Sequence, residues 1–108
     1  MIVIAAAMLF VAADQGSLRR SFAECLKQAN SEAKAQNLVP DGFVAFARTK
    51  CTGVADPFQS SLTSANVSHG MSKKAAASDA ATQIDDYYSE RLENYRIEFQ
   101  PLLAPKPQ

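Results

Sequence analysis

Over residues 77–99, apolar side chains return every three or four positions: Ala77, Ala80, Ala81, Ile84, Tyr88, Leu92, Tyr95 and Phe99. That spacing matches the turn of an α-helix, and it persists for about six turns. An apolar face this long must be covered by other elements, or the chain aggregates. The pattern predicts a helix over residues 72–99, capped by Ser72 and ended by Pro101. Its alanine-rich first half admits close neighbours, and its aromatic second half fills space. Leu92, in the middle of the run, is expected among its most buried residues.

Three shorter segments supply the cover. Residues 17–36 place Leu18, Phe22, Cys25, Leu26, Ala29 and Ala33 on one helical face, with Ser17 as N-cap and Asn37 as a stop. Residues 40–51 place Phe43, Phe46, Ala47 and Cys51 on another. Asp41 is positioned to cap that helix, and Thr52-Gly53 to close it. Residues 56–69 open on Asp56-Pro57, a cap followed by proline in the first turn, and carry Phe58, Leu62 and Ala65 as a thin stripe before Gly70. Only 4 glycines and 5 prolines punctuate the 108 residues, too few for a many-stranded β-sandwich. The expected fold class is therefore all-α, a small antiparallel bundle of three to four helices.

Residues 2–13 are an unbroken apolar run that ends in Val11-Ala12-Ala13, with Asp14-Gln15-Gly16 directly after it. The run fits a secretory h-region with a small-residue cleavage site, and is shorter than the roughly 20 residues that cross a bilayer. No Lys or Arg precedes it. A buried N-terminal core helix is the other reading of the same residues. The expected division is a signal peptide over 1–13, a helical domain over 14–100 and a Pro-rich flexible tail over 101–108. Cleavage after Ala13 leaves no stable membrane anchor.

An exported chain meets an oxidising compartment, so its two cysteines are expected to pair. Cys25 and Cys51 lie on the apolar faces of the first two segments, so a bond would staple those segments side by side. Two cysteines and one histidine at these spacings do not make a zinc site, and there is no Cys-x-x-Cys motif.

The remaining candidates each have a plain structural reading. His69 is the only histidine, and it suits the end of a helix better than acid–base catalysis. Asp86, Glu90 and Glu93, with Asp79 further back, form an acidic row that could attract a divalent cation but reads first as a wet helix face. Asp85 and Tyr87 are both within reach of Arg91. Asn66-Val67-Ser68 matches an N-glycosylation sequon. Tyr88 and Tyr95 fit the core, while Tyr87 is expected outside it. Basic and acidic residues balance at 11 each, so there is no basic footprint for nucleic acid. The pairs Arg19-Arg20 and Lys73-Lys74 read as solvated helical turns.

Phe22-Ala23-Glu24-Cys25-Leu26, Phe43-Val44-Ala45-Phe46 leading to Cys51, His69-Gly70-Met71-Ser72-Lys73-Lys74-Ala75-Ala76 and Asp85-Asp86-Tyr87 together resemble small secreted proteins of sphingomonad-type bacteria. That resemblance spans nearly the whole chain after residue 13 and implies export and a helical fold, without a particular activity. The layout is also similar to helical, disulfide-bearing periplasmic immunity proteins, whose additional cysteines this chain lacks. The functional expectation is a non-enzymatic protein that needs no cofactor and acts by contact with another envelope protein. The alternative is a small-ligand or metal-binding periplasmic module.

Overall fold

In a computed structural model of the chain, the described residues are 14–103, with side chains through Phe99. The expected signal peptide, residues 1–13, lies outside them. The described residues form three α-helices and no strand: α1 (Gln15–Ala35), α2 (Phe43–Ser68) and α3 (Lys73–Leu103), with a 3-10 turn at Pro40–Gly42 before α2. The protein is all-α, and these helices number three because the second and third predicted segments are one.

That fusion has a clear physical basis. Phe43, Ala47, Cys51, Ala55, Phe58 and Leu62 are all buried, at spacings of three and four across the predicted break. Gly53 and Pro57 sit inside the helix, and both are exposed. Pro57 cannot donate to the carbonyl of Gly53, but that carbonyl lies on the wet face, where water can replace the missing bond. A proline inside a helix costs about 3 kcal/mol. Burying Phe58 and Leu62 on the continued stripe returns a similar amount, about 1.5–3 kcal/mol each.

The helix ends follow local chemistry, not always at the residues expected. Asp14, rather than Ser17, caps α1: its carboxylate accepts the Ser17 N–H at 2.6 Å. A carboxylate there satisfies an orphan donor and complements the positive end of the helix dipole. Asn37 takes φ 55° just past the end of α1, and the Leu38 N–H returns to the Ala33 carbonyl at 3.0 Å. This closing loop drives Leu38 back against the core. Gly70, at φ 104°, ends α2 in the same way, with the Met71 N–H donating to the Asn66 carbonyl at 3.1 Å. Asp41 makes no capping bond; it lies in the 3-10 turn, and Gly42 occupies the α2 cap position. Ser72 caps α3 as expected, accepting the Ala75 N–H at 3.1 Å. Pro101 does not end α3, which continues to Leu103. The carbonyl deprived of a donor there belongs to Ile97, which faces solvent at 63% exposure.

Contacts order the helices. Phe22 meets Phe58, Cys25 bonds Cys51 and Glu32 pairs with Lys50, so α1 and α2 run in opposite directions. Asn66 bonds Asp79, Arg48 bonds Asp85 and Phe43 stacks on Tyr95, so α2 and α3 do too. The second helix packs along both others, whereas α1 and α3 meet less extensively. The core has an aromatic nest at each end. Phe22 contacts the rings of Phe58, Tyr87 and Tyr88 in one. Phe43, Tyr95 and Phe99 stack in the other. Alanines 29, 33, 47, 55, 76 and 80 let the helices close together.

Two expectations along α3 need correction. Ala76 is buried and Ala77 exposed. Leu92 is only half-buried, packed at the margin of the core, while Tyr88 and Tyr95 are enclosed. At about 100° per residue, repeated steps of four drift steadily around the helix. The buried stripe therefore moves from Tyr88 to Tyr95 by a seven-residue step, and Leu92 falls to its edge.

Candidate functional site

A covalent cross-link ties α1 to α2. Cys25 and Cys51 form a disulfide with S–S 2.09 Å and Cα–Cα 5.8 Å across a separation of 26 residues. Closing a loop of that length removes about 3–3.5 kcal/mol of chain entropy from the unfolded state. Both cysteines lie on the faces assigned from periodicity, although Cys25 is half-buried and Cys51 fully enclosed.

Because α1 and α3 touch lightly, a cleft opens between them. It has a volume of about 200 Å³ and is lined by Ala23 and Leu26 of α1 and by Tyr87, Glu90, Arg91 and Asn94 of α3. A shallower depression of about 330 Å³, lined by Gln83, Asp86, Tyr87 and Glu90, shares two of these residues. Tyr87 thus stands at the centre of the recess. It is not outside the core, as expected, but half-buried, with its ring edge against Phe22 at 5.4 Å and Phe58 at 5.7 Å.

The acidic row separates by role. Asp79 accepts from Asn66 at 3.0 Å and from Gln83 at 2.9 Å. Asp86, Glu90 and Glu93 are exposed. Among the described residues, no three His, Cys, Asp or Glu side chains converge as a metal site. Asp85 pairs with Arg48 at 2.6 Å rather than with Arg91. The same guanidinium lies 4.4 Å from the centre of the Tyr88 ring, a cation–π contact across α2 and α3. Burial holds the Tyr88 hydroxyl above its ordinary pKa, although Arg48 pulls the other way.

A second polar group, absent from the sequence expectations, joins α1 to the far end of α3. Asn30 is buried and donates from Nδ2 to Glu98 Oε1 at 3.0 Å, while Lys34 approaches the same oxygen at 3.2 Å. The Asn30 bond, with Lys34 adding, holds the Glu98 carboxyl below the usual glutamate range against the opposing effect of desolvation. Among the described residues, the Asn30 Oδ1 is buried without a partner. The signal in the sequence was slight: Asn30 lies one turn beyond Leu26, at the margin of the stripe.

His69 Nδ1 lies 2.7 Å from the Ala65 carbonyl oxygen, closing the last turn of α2. The sequon asparagine is engaged within the fold. Asn66 Nδ2 donates to the Ala76 carbonyl at 3.2 Å as well as to Asp79, clasping α2 to α3. Tyr95 donates its hydroxyl to the Leu38 carbonyl at 2.5 Å, and burial raises its pKa. No protein-family model, curated protein or solved structure matches this chain.

Proposed function

We propose that the chain is exported under the direction of residues 1–13 and acts without catalysis, contacting another protein of the cell envelope through the α1–α3 face of an antiparallel helical scaffold. The observation that carries this reading is the Cys25–Cys51 disulfide, a bond suited to an oxidising compartment and joining helices with little other covalent restraint. The resemblance to small secreted proteins of sphingomonad-type bacteria points the same way. The contact face is argued from Tyr87, a half-covered aromatic ring beside Leu26 with Glu90, Arg91 and Asn94 around it. Tyrosine in such a setting supplies large contact area at low entropic cost.

Two measurements test the reading. The intact mass of periplasmic protein should correspond to loss of residues 1–13; full-length soluble protein in the cytoplasm would overturn export. Affinity capture from the envelope fraction should recover a partner with the mature protein and lose it with a folded Tyr87→Ala variant. Equal capture by both would overturn the assignment of the face.

The second reading, a small-ligand or metal-binding module, draws on the depression that holds Asp86 and Glu90. A rise in Tm with Ca²⁺ or a small organic cation, abolished by Glu90→Gln, would decide for it.

A further inference from the structure

The two cysteines of the cross-link differ in burial. Cys51 is completely enclosed, whereas Cys25 lines a surface depression with Arg20, Ser21, Glu24, Gln28 and Val54. The helices differ in how they are tied as well: α1 carries the covalent bond to α2 and meets α3 only lightly. The second and third are tied by contacts that owe nothing to α1: the Phe43–Tyr95 stack, the Arg48–Asp85 pair and the Asn66 clasp. The first packs along α2 through the buried stripe of Phe22, Leu26, Ala29 and Ala33, and is held besides by the disulfide, by the pairs Glu32–Lys50 and Lys34–Glu98 and by the Asn30–Glu98 bond.

We propose that the disulfide is a redox lock on α1: a dithiol reductant opens it by attack at Cys25, and α1 then lifts from the α2–α3 hairpin. A thiolate of the reductant attacks the Sγ of Cys25, the half-buried partner, because Cys51 is fully enclosed. The bond to Cys51 breaks, its electron pair leaves on the Cys51 sulfur, and that sulfur takes a proton from water. The second thiol of the reductant then attacks the mixed disulfide and releases Cys25 as a thiol. Two electrons have passed to the protein, and the reductant departs as its own disulfide. Release of α1 withdraws Phe22 and uncovers the aromatic cluster of Phe58, Tyr87 and Tyr88 that it covers. The lock does not depend on the proposed export, and its test uses purified, oxidised full-length chain.

A Cys-x-x-Cys reductant whose resolving cysteine is replaced by serine traps the mixed disulfide, and peptide mapping identifies the partner cysteine. The adduct should fall on Cys25. Hydrogen exchange with and without dithiothreitol then reads the release: α1 amides should lose protection by about 100-fold or more, and α2 and α3 by less than about 10-fold. The double variant Cys25→Ser, Cys51→Ser should reproduce that pattern without reductant. An adduct on Cys51 overturns the route. Equal loss over all three helices shows a bond that holds the whole domain, and unchanged protection in α1 shows no lock; either overturns the proposal.

Discussion

Replacing Pro57 by alanine separates two pictures of this protein that differ only in the middle of α2. If residues 56–69 began a separate helix, Pro57 would sit in its first turn, where proline is favourable, and alanine would gain nothing. In the continuous helix, Pro57 lies in the interior with its four-back partner, Gly53, on the exposed face. Alanine restores the donor to the Gly53 carbonyl and removes the ring from that turn. The intrinsic helix scale sets this at about 3 kcal/mol. Two effects reduce it. The unfolded chain regains freedom that proline denied it, worth about 0.4–1 kcal/mol, and the exposed Gly53 carbonyl is open to water. A net gain of about 1–2 kcal/mol follows, which for a domain of this size raises Tm by roughly 5–15 °C. Gly53→Ala belongs to the same test. An added Cβ there meets nothing within 4 Å, so the variant should gain about 0.5–1 kcal/mol. Thermal and urea unfolding with the disulfide intact measure both variants, and hydrogen exchange reads the amide that Pro57→Ala introduces. A Pro57→Ala variant that melts at or below the parent temperature would refute the continuous helix.

Tyr95→Phe keeps the stack on Phe43 but strands the Leu38 carbonyl, and should cost about 0.5–1.5 kcal/mol in urea unfolding. Asn66→Ala removes both bonds of the α2–α3 clasp and should cost about 1–2 kcal/mol; Asn66→Asp should cost more, because a second carboxylate would face Asp79. Glu98 carries a folded-state pKa below its ordinary value, so its contribution is present above the unfolded pKa and lost as pH falls through the folded one. Stability measured on acidification from about pH 5 to pH 3 should therefore decline less in Glu98→Gln than in the parent.

Much of this architecture was legible along the chain because helical periodicity is a local property. The faces carrying Phe22, Leu26, Phe43, Ile84, Tyr88 and Tyr95 emerge from spacing alone, and burial follows from their chemistry. The Cys25–Cys51 pairing was readable for the same reason: two cysteines on two apolar faces had one interface to share. Ser72 as a cap, and Gly70 as a stop, depend only on neighbouring backbone.

Elsewhere, tertiary packing outweighed local signals. Gly53 and Asp56-Pro57 mark a break, and only the shared burial of Cys51, Ala55, Phe58 and Leu62 carries the helix through it. How far the stripe drifts around α3 is set by where two neighbours lie, so the marginal place of Leu92 could not come from spacing alone. The half-covered position of Tyr87 has the same origin, since it follows from how lightly α1 and α3 meet. The polar ties, Asn30 to Glu98 and Arg48 to Asp85, span 68 and 37 residues. A side chain's periodicity names its face, but its partner is decided by which helix arrives opposite, and that depends on the packing of the whole chain.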